Sequence, residues 1–370
     1  MKFSCEKYLL QAACAVASRA TASKSTIPAL EGLLLQAELG LTVTGYDLRK
    51  GIYTRIEADV EERGSVVVGA RFLGEMLRRL PDGVVNVSTD ANLNVTVKCG
   101  RSEFNFIGIS ASDFPEIPMV DGVNNITVPQ GILRSMINQT IFAVATSDAR
   151  PIYTGTLFEI KDDVLTLVSV DGYRLAKRSE KIEKGRMEDC SFVVPGSALS
   201  DIERICSDDE GEVSVAVGTK HILFKIGETV VVSRRLEGEF LNYRKSIPEL
   251  FRFTVKVDKA EFMSSIDRVA LIISEKNSSP VRLTFGETGI ECRCMTPIGK
   301  AEDLCSCEGS GDGLEIGFND RYLMDALKAA AAEKLDLCLN SASSPCILRA
   351  ADGGEKFTYM ILPVRLRAGD

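Results

Sequence analysis

The sequence repeats one unit three times along its length, and this repeat limits the fold more strongly than any local motif does. A helix-opening segment around Leu73 recurs around Leu199 and again around Leu323, at spacings of 126 and 124 residues. The β-patterned residues upstream repeat as well, because residues 41–47 match residues 165–171 at a spacing of 124. Three copies of one unit predict a segmented arc, and an arc of repeated units can close into a ring by symmetry.

The repeat divides the 370 residues into three domains of ordinary size. Proline and glycine cluster at residues 114–122, and proline recurs in the similar segment 240–248, so both segments are predicted to be linkers. We therefore predict domains over residues 1–120, 126–246 and 247–370.

Each domain has the pattern of an α+β unit in which two helices cover a β-sheet. In the first domain, apolar residues at helical spacing predict a helix over residues 3–17, and a second predicted helix over 70–80 ends at a Pro-Asp-Gly turn. The β-patterned segments of this domain are residues 29–35, 39–44, 53–60, 65–68, 84–88, 92–98 and 103–108. At the end of the chain, the apolar run 359–366 predicts a last strand, in which Pro363 favours an edge or an irregular exit.

Composition and the N-terminal sequence limit the class of protein. No apolar run approaches the ~20 residues that span a bilayer, and the first residues lack the apolar core of a signal peptide. We therefore expect a cytoplasmic protein with no membrane partner. The eleven cysteines are an odd number in a long chain, which favours reduced, buried thiols. The net charge of -8 argues against general affinity for nucleic acid, although it leaves room for one basic surface.

A search for catalytic or cofactor chemistry finds little. His221 is the only histidine, and it lies in a hairpin-like context with no assignable nucleophile. Two cysteine pairs, one of them Cys292 and Cys294, have C-x-C spacing, whereas zinc sites typically have two residues between the ligands. Strand alternation places Cys292 and Cys294 on one sheet face, which favours a buried core. No phosphate-binding glycine loop or dinucleotide fingerprint is present, and we predict no catalytic residue, metal or cofactor.

Basic residues concentrate on the predicted helices and their flanks. They are Lys7, Arg19, Lys24, Arg71, Arg78, Arg79, Arg321 and Lys328. Each one is compatible with an ordinary solvated helix surface. Together they could form one positive face that follows DNA phosphates without reading the bases.

Several segments resemble the bacterial DNA sliding clamps, the β subunits of DNA polymerase III, in order along the whole chain. They are residues 27–35, 100–102, 111–115, 170–176, 282–283, 316–319 and 362–366. The resemblance implies three clamp domains in a head-to-tail homodimer, in which six similar domains close a ring around duplex DNA, with helices inside and sheets outside. It also implies a non-catalytic processivity factor that holds the replicative DNA polymerase on its template.

The resemblance further implies a peptide-binding cleft between the second and third domains. Its partners would be short linear motifs of the replicative polymerase, other polymerases, the clamp loader and repair proteins. The matching positions are Tyr153, Val170, Gly172, Tyr173, Arg174, Leu175, Leu241, Lys245, Ser246, Met360, Ile361, Leu362, Pro363, Val364 and Arg365. Aliphatic and methionine side chains suit a deformable apolar cleft, with Arg174, Lys245 and Arg365 expected at its rim. Leu241 and Lys245 depart from the family's usual proline and arginine, so partner preference is expected to differ.

The same resemblance implies a DNA-contacting set and a dimer interface. The DNA-contacting positions match Lys24, Arg71, Arg79 and Arg150. Pro151 and Ile152 replace positions that are aromatic in the family, so stacking on DNA is not expected there. The dimer interface matches Phe104 and Phe106 in an edge-like alternating run, opposed by Leu271 and Ile272.

Two alternatives to a DNA clamp remain compatible with the sequence. One is an enzyme on a repeated α+β fold that uses aspartate or cysteine, which the shortage of histidine disfavours. The other is a repeat scaffold with no role on DNA, in which the basic residues would be scattered. Separately, the C-terminal run is also compatible with an edge strand that binds no peptide.

Overall fold

The computed structural model describes residues 1–120, 124–147, 149–183, 188–207, 210–274, 279–353 and 356–366. The chain divides into two compact units. The first comprises Met1–Arg134, Glu183–Glu188 and Ser197–Arg235, and the second comprises Ser135–Ile182, Asp189–Gly196 and Leu236–Asp370.

The first repeat alternates helices and strands in two similar halves. Its elements are β1 Lys2–Glu6, α1 Lys7–Ala17, β2 Gly32–Ala37, β3 Leu41–Tyr46, β4 Lys50–Ile56, β5 Asp59–Glu62, β6 Gly64–Gly69, α2 Ala70–Arg79, β7 Val84–Thr89, β8 Asn94–Cys99 and β9 Ser102–Ile107. The sequence predicted a helix over residues 3–17, and this is wrong at its start. Phe3 and Cys5 are buried as alternate residues of a strand, and the helix begins at Lys7.

The second repeat has the same order without a counterpart of β5. Its elements are β10 Asn124–Pro129, α3 Gln130–Asn138, β11 Gly155–Lys161, β12 Val164–Val170, β13 Arg174–Lys181, β14 Cys190–Pro195, α4 Gly196–Ile205, β15 Glu212–Val217, β16 His221–Ile226 and β17 Thr229–Arg234. Each half of a repeat therefore opens with a strand that runs directly into a helix.

The third repeat follows a linker that contains one short helix. Its elements are α5 Tyr243–Ser246, β18 Phe253–Asp258, α6 Lys259–Ala270, β19 Val281–Phe285, β20 Gly289–Thr296, β21 Gly299–Ser306, β22 Leu314–Phe318, α7 Asp320–Ala329, β23 Lys334–Leu339, β24 Cys346–Ala350 and β25 Phe357–Ile361. Two of its helices begin at a side-chain cap, because Asp258 accepts from the backbone N–H of Glu261 and Asn319 from that of Tyr322.

Within the described residues, all the strand pairings that build the sheets are antiparallel. In the first unit, one sheet has the order β5-β1-β7-β8-β9 and the other has the order β10-β15-β16-β17-β4-β3-β2-β6. The second sheet is continuous between repeats, because β17 of the second repeat pairs with β4 of the first, with Val231 opposite Ile52.

The second unit uses the same construction once more. One sheet has the order β14-β11-β12-β13-β25-β24-β23-β18 and the other has the order β21-β20-β19-β22. The first of these joins the second and third repeats, because β13 pairs with β25 and Ala176 lies opposite Tyr359.

Amphipathic helices close the core against these sheets. In α2, Leu73, Met76 and Leu77 are buried with the sheet residues of the first repeat, while Arg78 and Arg79 are exposed in the last turn, where cations stabilise a helix. No helix within the described residues is long and apolar enough to cross a membrane.

Candidate functional site

An apolar cluster lies within the second unit, separate from the main core of the third repeat. Its buried members are Leu157, Val168, Val170, Leu175, Val193, Tyr243, Cys338, Ile347 and Met360. Partly buried residues pack against them: Ile152, Tyr153, Leu236, Phe240, Leu241, Ile247 and Phe251. We call this set the linker-side cluster, because the predicted linker, residues 240–248, supplies several of its members.

Strand register explains why these residues meet. Leu175 lies opposite Val170 in the β12–β13 ladder and opposite Met360 in the β13–β25 ladder. Side chains directly opposite each other on one face of a sheet pack together. Alternation turns the next residue, Ile361, to the other face, where it is buried in the core of the third repeat. Ile361 was predicted to line the cleft, but its side chain packs in the core on the opposite face of the sheet.

The linker is held on this cluster by one carboxylate. Glu159 on β11 accepts a 2.6 Å hydrogen bond from the Tyr243 hydroxyl and further hydrogen bonds from the Arg244 guanidinium. Partial burial opposes ionisation of Glu159, but the hydrogen bonds from Arg244 and Tyr243 outweigh it and lower the pKa of the carboxyl group. Glu159 is therefore charged at neutral pH, and it fixes the short helix α5 beside the apolar residues.

Two aromatic pairs occur in this unit, one of them within the linker-side cluster. Tyr153 meets Phe240 edge to face at 5.6 Å between ring centroids, and the Arg150 guanidinium lies 5.7 Å from the Tyr153 ring. Tyr173 stacks on Tyr322 at 5.9 Å. Exposed rings that are already paired offer apolar area with few internal rotations to lose on binding.

Arg174 was expected at the rim of the cleft, but its guanidinium binds two carboxylates of the protein itself. Its Nε donates to Asp171 Oδ2 at 3.0 Å and its Nη1 donates to Asp325 Oδ2 at 2.6 Å. The guanidinium carbon lies 4.5 Å from the centroid of the Tyr322 ring and 5.4 Å from that of Phe142. Arg174 thus links β13 of the second repeat to α7 of the third.

The first unit contains the same link in simpler form. Lys50, which opens β4, contacts the carboxylate of Asp201 on α4. Asp47 and Asp171 hold the two turns alike, since each accepts from the backbone N–H of the residues two and three positions later. The two links lie at matching positions of the repeat, with a lysine in one and an arginine in the other.

We expect Arg174→Lys to lower the urea midpoint of unfolding by an amount equivalent to about 1–2 kcal/mol. A lysine keeps the charge, but it loses the two directed carboxylate contacts and the stacking on Tyr322. Urea unfolding followed by tyrosine fluorescence measures the change. The control Lys245→Ala removes an exposed charge and should shift stability by less than about 0.5 kcal/mol. An Arg174→Lys midpoint equal to that of the control would contradict the link.

The other predicted cleft residues divide into three groups. Tyr153, Val170, Leu175, Leu241 and Met360 belong to the linker-side cluster. An exposed set comprises Gly172, Tyr173, Lys245, Val364 and Arg365, and a half-buried set comprises Ser246, Leu362 and Pro363. The chain leaves β25 after Ile361, as the proline predicted, and the Leu362 N–H donates to Tyr173 O at 2.9 Å.

Sequence reasoning missed several aromatic and aliphatic members of the cluster. Ile152 packs there from the segment after Arg150, Phe240 and Ile247 from the predicted linker, and Phe251 from just beyond it. Large apolar residues recurring through a segment that lacks a strand or long-helix pattern were the available signal, because such residues need a surface to cover.

The predicted basic residues are exposed apart from Lys7, which is partly buried, and several of them have partners. Lys24 lies in an exposed loop, Arg71 and Arg79 lie on the exposed face of α2, and Arg150 is exposed just before a short 3-10 turn. Arg71 makes an i,i+4 ion pair with Glu75, at 3.2 Å. Two others are tied down: Lys7 donates to Leu80 O and Asp82, and Arg19 lies 3.7 Å from Asp201.

Two of the sheet edges among the described residues carry exposed apolar side chains. β9 is the end of its five-stranded sheet, and Phe104 and Ile107 on it are 37% and 78% exposed. β21 is the end of its four-stranded sheet, with Leu304 64% exposed and, at the end of the neighbouring helix α6, Leu271 79% exposed. Unpaired edges with exposed apolar residues are typical of surfaces that join another chain.

Burial disfavours the charged forms of Cys292, Cys294 and His221. Cys292 and Cys294 are buried on one face of β20 while Glu291 and Arg293 lie on the other, as alternation predicted, and burial raises the pKa of Cys292 to about 12. Burial, aided by neighbouring Arg234 and Lys220, lowers the pKa of His221. No group of three or more potential metal ligands occurs among the residues that the structure describes.

Family models match all three repeats in order. The model of the DNA polymerase III beta subunit N-terminal domain matches residues 1–118, that of the central domain matches residues 127–242, and that of the C-terminal domain matches residues 244–365.

Individual relatives agree with the family models. The beta sliding clamp of Halalkalibacterium halodurans is 31% identical over 362 residues, which cover 94% of this chain and 95% of the relative. The beta sliding clamp of Staphylococcus aureus is 31% identical over 358 residues, covering 94% of each chain.

Solved structures share the fold over nearly the whole chain. The DNA polymerase sliding clamp of Bacillus subtilis superposes with a TM-score of 0.95 at 29% identity, covering 99% of this chain and all of the other. A putative DNA polymerase III beta subunit from Eubacterium rectale superposes with a TM-score of 0.93 at 32% identity, covering 98% and 99%.

Proposed function

The chain belongs to the DNA polymerase III beta subunit family, the sliding clamps, and from this membership we propose which of its surfaces carry out the clamp's work. It is a non-catalytic processivity factor that tethers DNA polymerase to DNA. The alternative of an enzyme on a repeated fold is therefore wrong, and so is that of a scaffold with no role on DNA. We further propose that it acts in the cytoplasm and that its clamp domains have the boundaries predicted from the repeat.

The observation that carries the proposal is that the two joints between repeats use equivalent strands. β4 of the first repeat pairs with the last strand of the second, β17, and β13 of the second pairs with the last strand of the third, β25. The equivalent strands left over are β21 of the third repeat and β9 of the first, and both are sheet edges. Pairing β21 with β9 of a second protomer would repeat the construction, and two protomers would then close on each other head to tail.

We propose that the predicted interface residues form the apolar core of this joint. Phe104 and Phe106 would come from one protomer, and Leu271 and Ile272 from its partner. Sedimentation of the full chain tests the closure, because the proposal requires a discrete dimer that does not grow with concentration. Open-ended assembly, or a monomer at micromolar concentration, would contradict it.

We propose that the closed ring holds duplex DNA by topology, with contacts to phosphates alone. A ring needs little net affinity for DNA, which suits a chain with a net charge of -8. Lys24, Arg71, Arg79 and Arg150 would supply weak contacts that do not distinguish sequences. Weak contacts of this kind allow sliding.

Removing each of these four charges should lower the salt dependence of retention on DNA by about one phosphate contact. The measurement is the rate of loss from nicked circular DNA over a series of salt concentrations, for Lys24→Ala, Arg71→Ala, Arg79→Ala and Arg150→Ala singly. Lys225→Ala, on strand β16, is a matched control that should leave the slope unchanged. A strong preference among duplex sequences, or four slopes equal to that of the control, would contradict the assignment.

The linker-side cluster is the proposed docking site for a linear peptide. Val170, Leu175, Met360 and Leu362 would form its apolar floor. Tyr153 and Leu241 would lie at the sides, with Lys245 and Arg365 as exposed cations at the rim. A peptide with one or two large aliphatic or aromatic side chains fits these surroundings. Such motifs would belong to the replicative polymerase. We propose that the clamp loader, other polymerases and repair proteins carry them as well.

A further inference from the structure

The two joints within the chain fix the register expected between protomers, an inference that rests on the head-to-tail dimer proposed above. At the first joint Ile52 lies opposite Val231, and at the second joint Ala176 lies opposite Tyr359. Ile52 and Ala176 occupy the same position of the repeat, because the β3–β4 ladder recurs 124 residues later as the β12–β13 ladder.

The corresponding positions in the two unpaired strands follow from the neighbouring ladders. Ala176 pairs with Ser169 in the second repeat, and Ala301 pairs with Cys294 in the third, with both members displaced by 125 residues. The pairing of β12 with its other neighbour, β11, shows the same displacement. Leu157 pairs with Val168 there, and 125 residues later Arg282 pairs with Arg293. Ala301 is therefore the counterpart of Ala176.

The last strands correspond in the same way. Val231 pairs with Phe224 in the β16–β17 hairpin, and Phe104 pairs with Val97 in the β8–β9 hairpin, with both members displaced by 127 residues. Phe104 is therefore the counterpart of Val231. We call the proposed pairing of β9 with β21 of a second protomer the subunit joint, and the repeated register places Phe104 there opposite Ala301 of the partner subunit.

Side-chain size supports this register. At the second joint, the large Tyr359 is fully buried opposite the small Ala176 and meets Phe142 edge to face at 5.2 Å. At the subunit joint, the half-exposed Phe104 would face the small Ala301. One step along on the same face, Phe106 would face Gly299, so both phenylalanines find space.

The same register brings two glutamates together on the other face. Glu103 alternates with Phe104 and points away from the helices, and Glu302 alternates with Ala301 in the same sense. In the joined sheet Glu103 would lie directly opposite Glu302 of the partner subunit. Like charges directly opposite each other destabilise a strand pair.

Cations already lie beside both carboxylates. Within each protomer Lys98 lies 3.1 Å from Glu103, and Arg293 lies 2.8 Å from Glu302. Lys300 also contacts Glu302. In the joined sheet Lys300 would lie diagonal to Glu103 of the other protomer, at a separation that a long side chain can span.

We propose that Lys300 is shared between Glu302 of its own chain and Glu103 of the partner subunit, and that this sharing allows the two glutamates to face each other at the subunit joint. At the equivalent steps of the internal joints, Tyr53 faces Val230 and Lys177 faces Thr358, so no like-charged pair occurs there. The subunit joint is therefore the one whose strength depends on a charge balance.

A double-mutant cycle on dimer dissociation of the full chain tests the proposal. Lys300→Ala should raise the dimer Kd about tenfold, since a ring has two such joints and each would lose a cross-strand pair while keeping facing carboxylates. Glu103→Ala alone should change the Kd by less than about threefold. Lys300→Ala with Glu103→Ala should return the Kd to within about threefold of the unmodified chain.

A matched control separates the local pair from net charge. Glu62 lies on β5, at the opposite edge of the same sheet as Glu103, so Lys300→Ala with Glu62→Ala should stay about tenfold weak. At high salt, the difference between Lys300→Ala and the double variant should shrink.

Three results would overturn or redirect the account. No effect of Lys300→Ala, or equal rescue by Glu62→Ala and Glu103→Ala, would overturn the register and the shared lysine. A chain that is monomeric without any substitution would instead overturn the dimer on which the inference rests. Thermal melts of each variant show whether a loss of dimer comes from unfolding.

Discussion

Replacing Leu271 and Ile272 with alanine should convert the proposed head-to-tail dimer into monomers at concentrations where the unmodified chain is a dimer. Leu271 is the exposed counterpart of Phe142, because each lies 12 residues beyond the first residue of the helix that opens its repeat, Gln130 for Phe142 and Lys259 for Leu271. Phe142 is covered by Tyr359 at the second joint, whereas Leu271 is 79% exposed. Each apolar side chain lost from an interface core costs about 1–3 kcal/mol, and a ring loses each one twice.

We therefore expect a rise of at least a hundredfold in the dimer Kd, measured by sedimentation or by subunit exchange at nanomolar concentration. Leu39 and Leu250 are exposed leucines far in sequence from either edge strand, and Leu39→Ala with Leu250→Ala is the matched control. Ile272 also packs on the core of the third repeat, so a thermal melt must show that this repeat stays folded. An unchanged dimer at nanomolar concentration would show that the joint lies elsewhere.

Met360→Ala with Leu362→Ala should weaken binding of a linear peptide by about thirtyfold or more. Met360 is buried opposite Leu175 in the linker-side cluster, and Leu362 is half-buried just after the strand ends. Anchoring contacts in small interfaces often contribute ~2 kcal/mol or more apiece. Both substitutions remove apolar side chains from the floor of the proposed site. Fluorescence titration of a labelled peptide with an aliphatic or aromatic anchor measures the loss.

Two controls keep this result specific. Thr358→Ala changes the same strand outside the linker-side cluster and should leave peptide affinity unchanged. Sizing of the double variant should still show a dimer, because a collapsed third repeat would abolish binding for an unrelated reason. Peptide affinity within twofold of the unmodified chain would move the binding site away from this cluster.

Much of the fold could be predicted from the sequence, because helical and strand periodicities recur in each repeat. The helix around Leu73 and the alternation at Cys292 and Cys294 rest on local periodicity, and the structure confirms both. The start of the first helix was wrong because Phe3 fits a helical stripe and a strand alternation equally well, and only pairing with β5 and β7 decides between them.

The candidate site was less accessible because it depends on pairings between distant segments. The sequence does not reveal that Arg174 reaches Asp325, 151 residues away, rather than facing a ligand. Nor does it reveal that Ile361 faces the core while its neighbour Met360 faces the linker, since that choice is set by the β13–β25 register. The repeat itself could have suggested the first point, because Lys50 and Asp201 have the same spacing.

Topological retention on DNA is the most direct test of the clamp function. The full chain is loaded onto nicked circular DNA, and its rate of loss is measured before and after a single cut linearises the circle. A closed ring that slides on phosphates should stay on the circle and escape rapidly from the ends once the DNA is cut. Equal rates of loss from circular and linear DNA would show that ordinary affinity holds the protein, and would contradict the clamp.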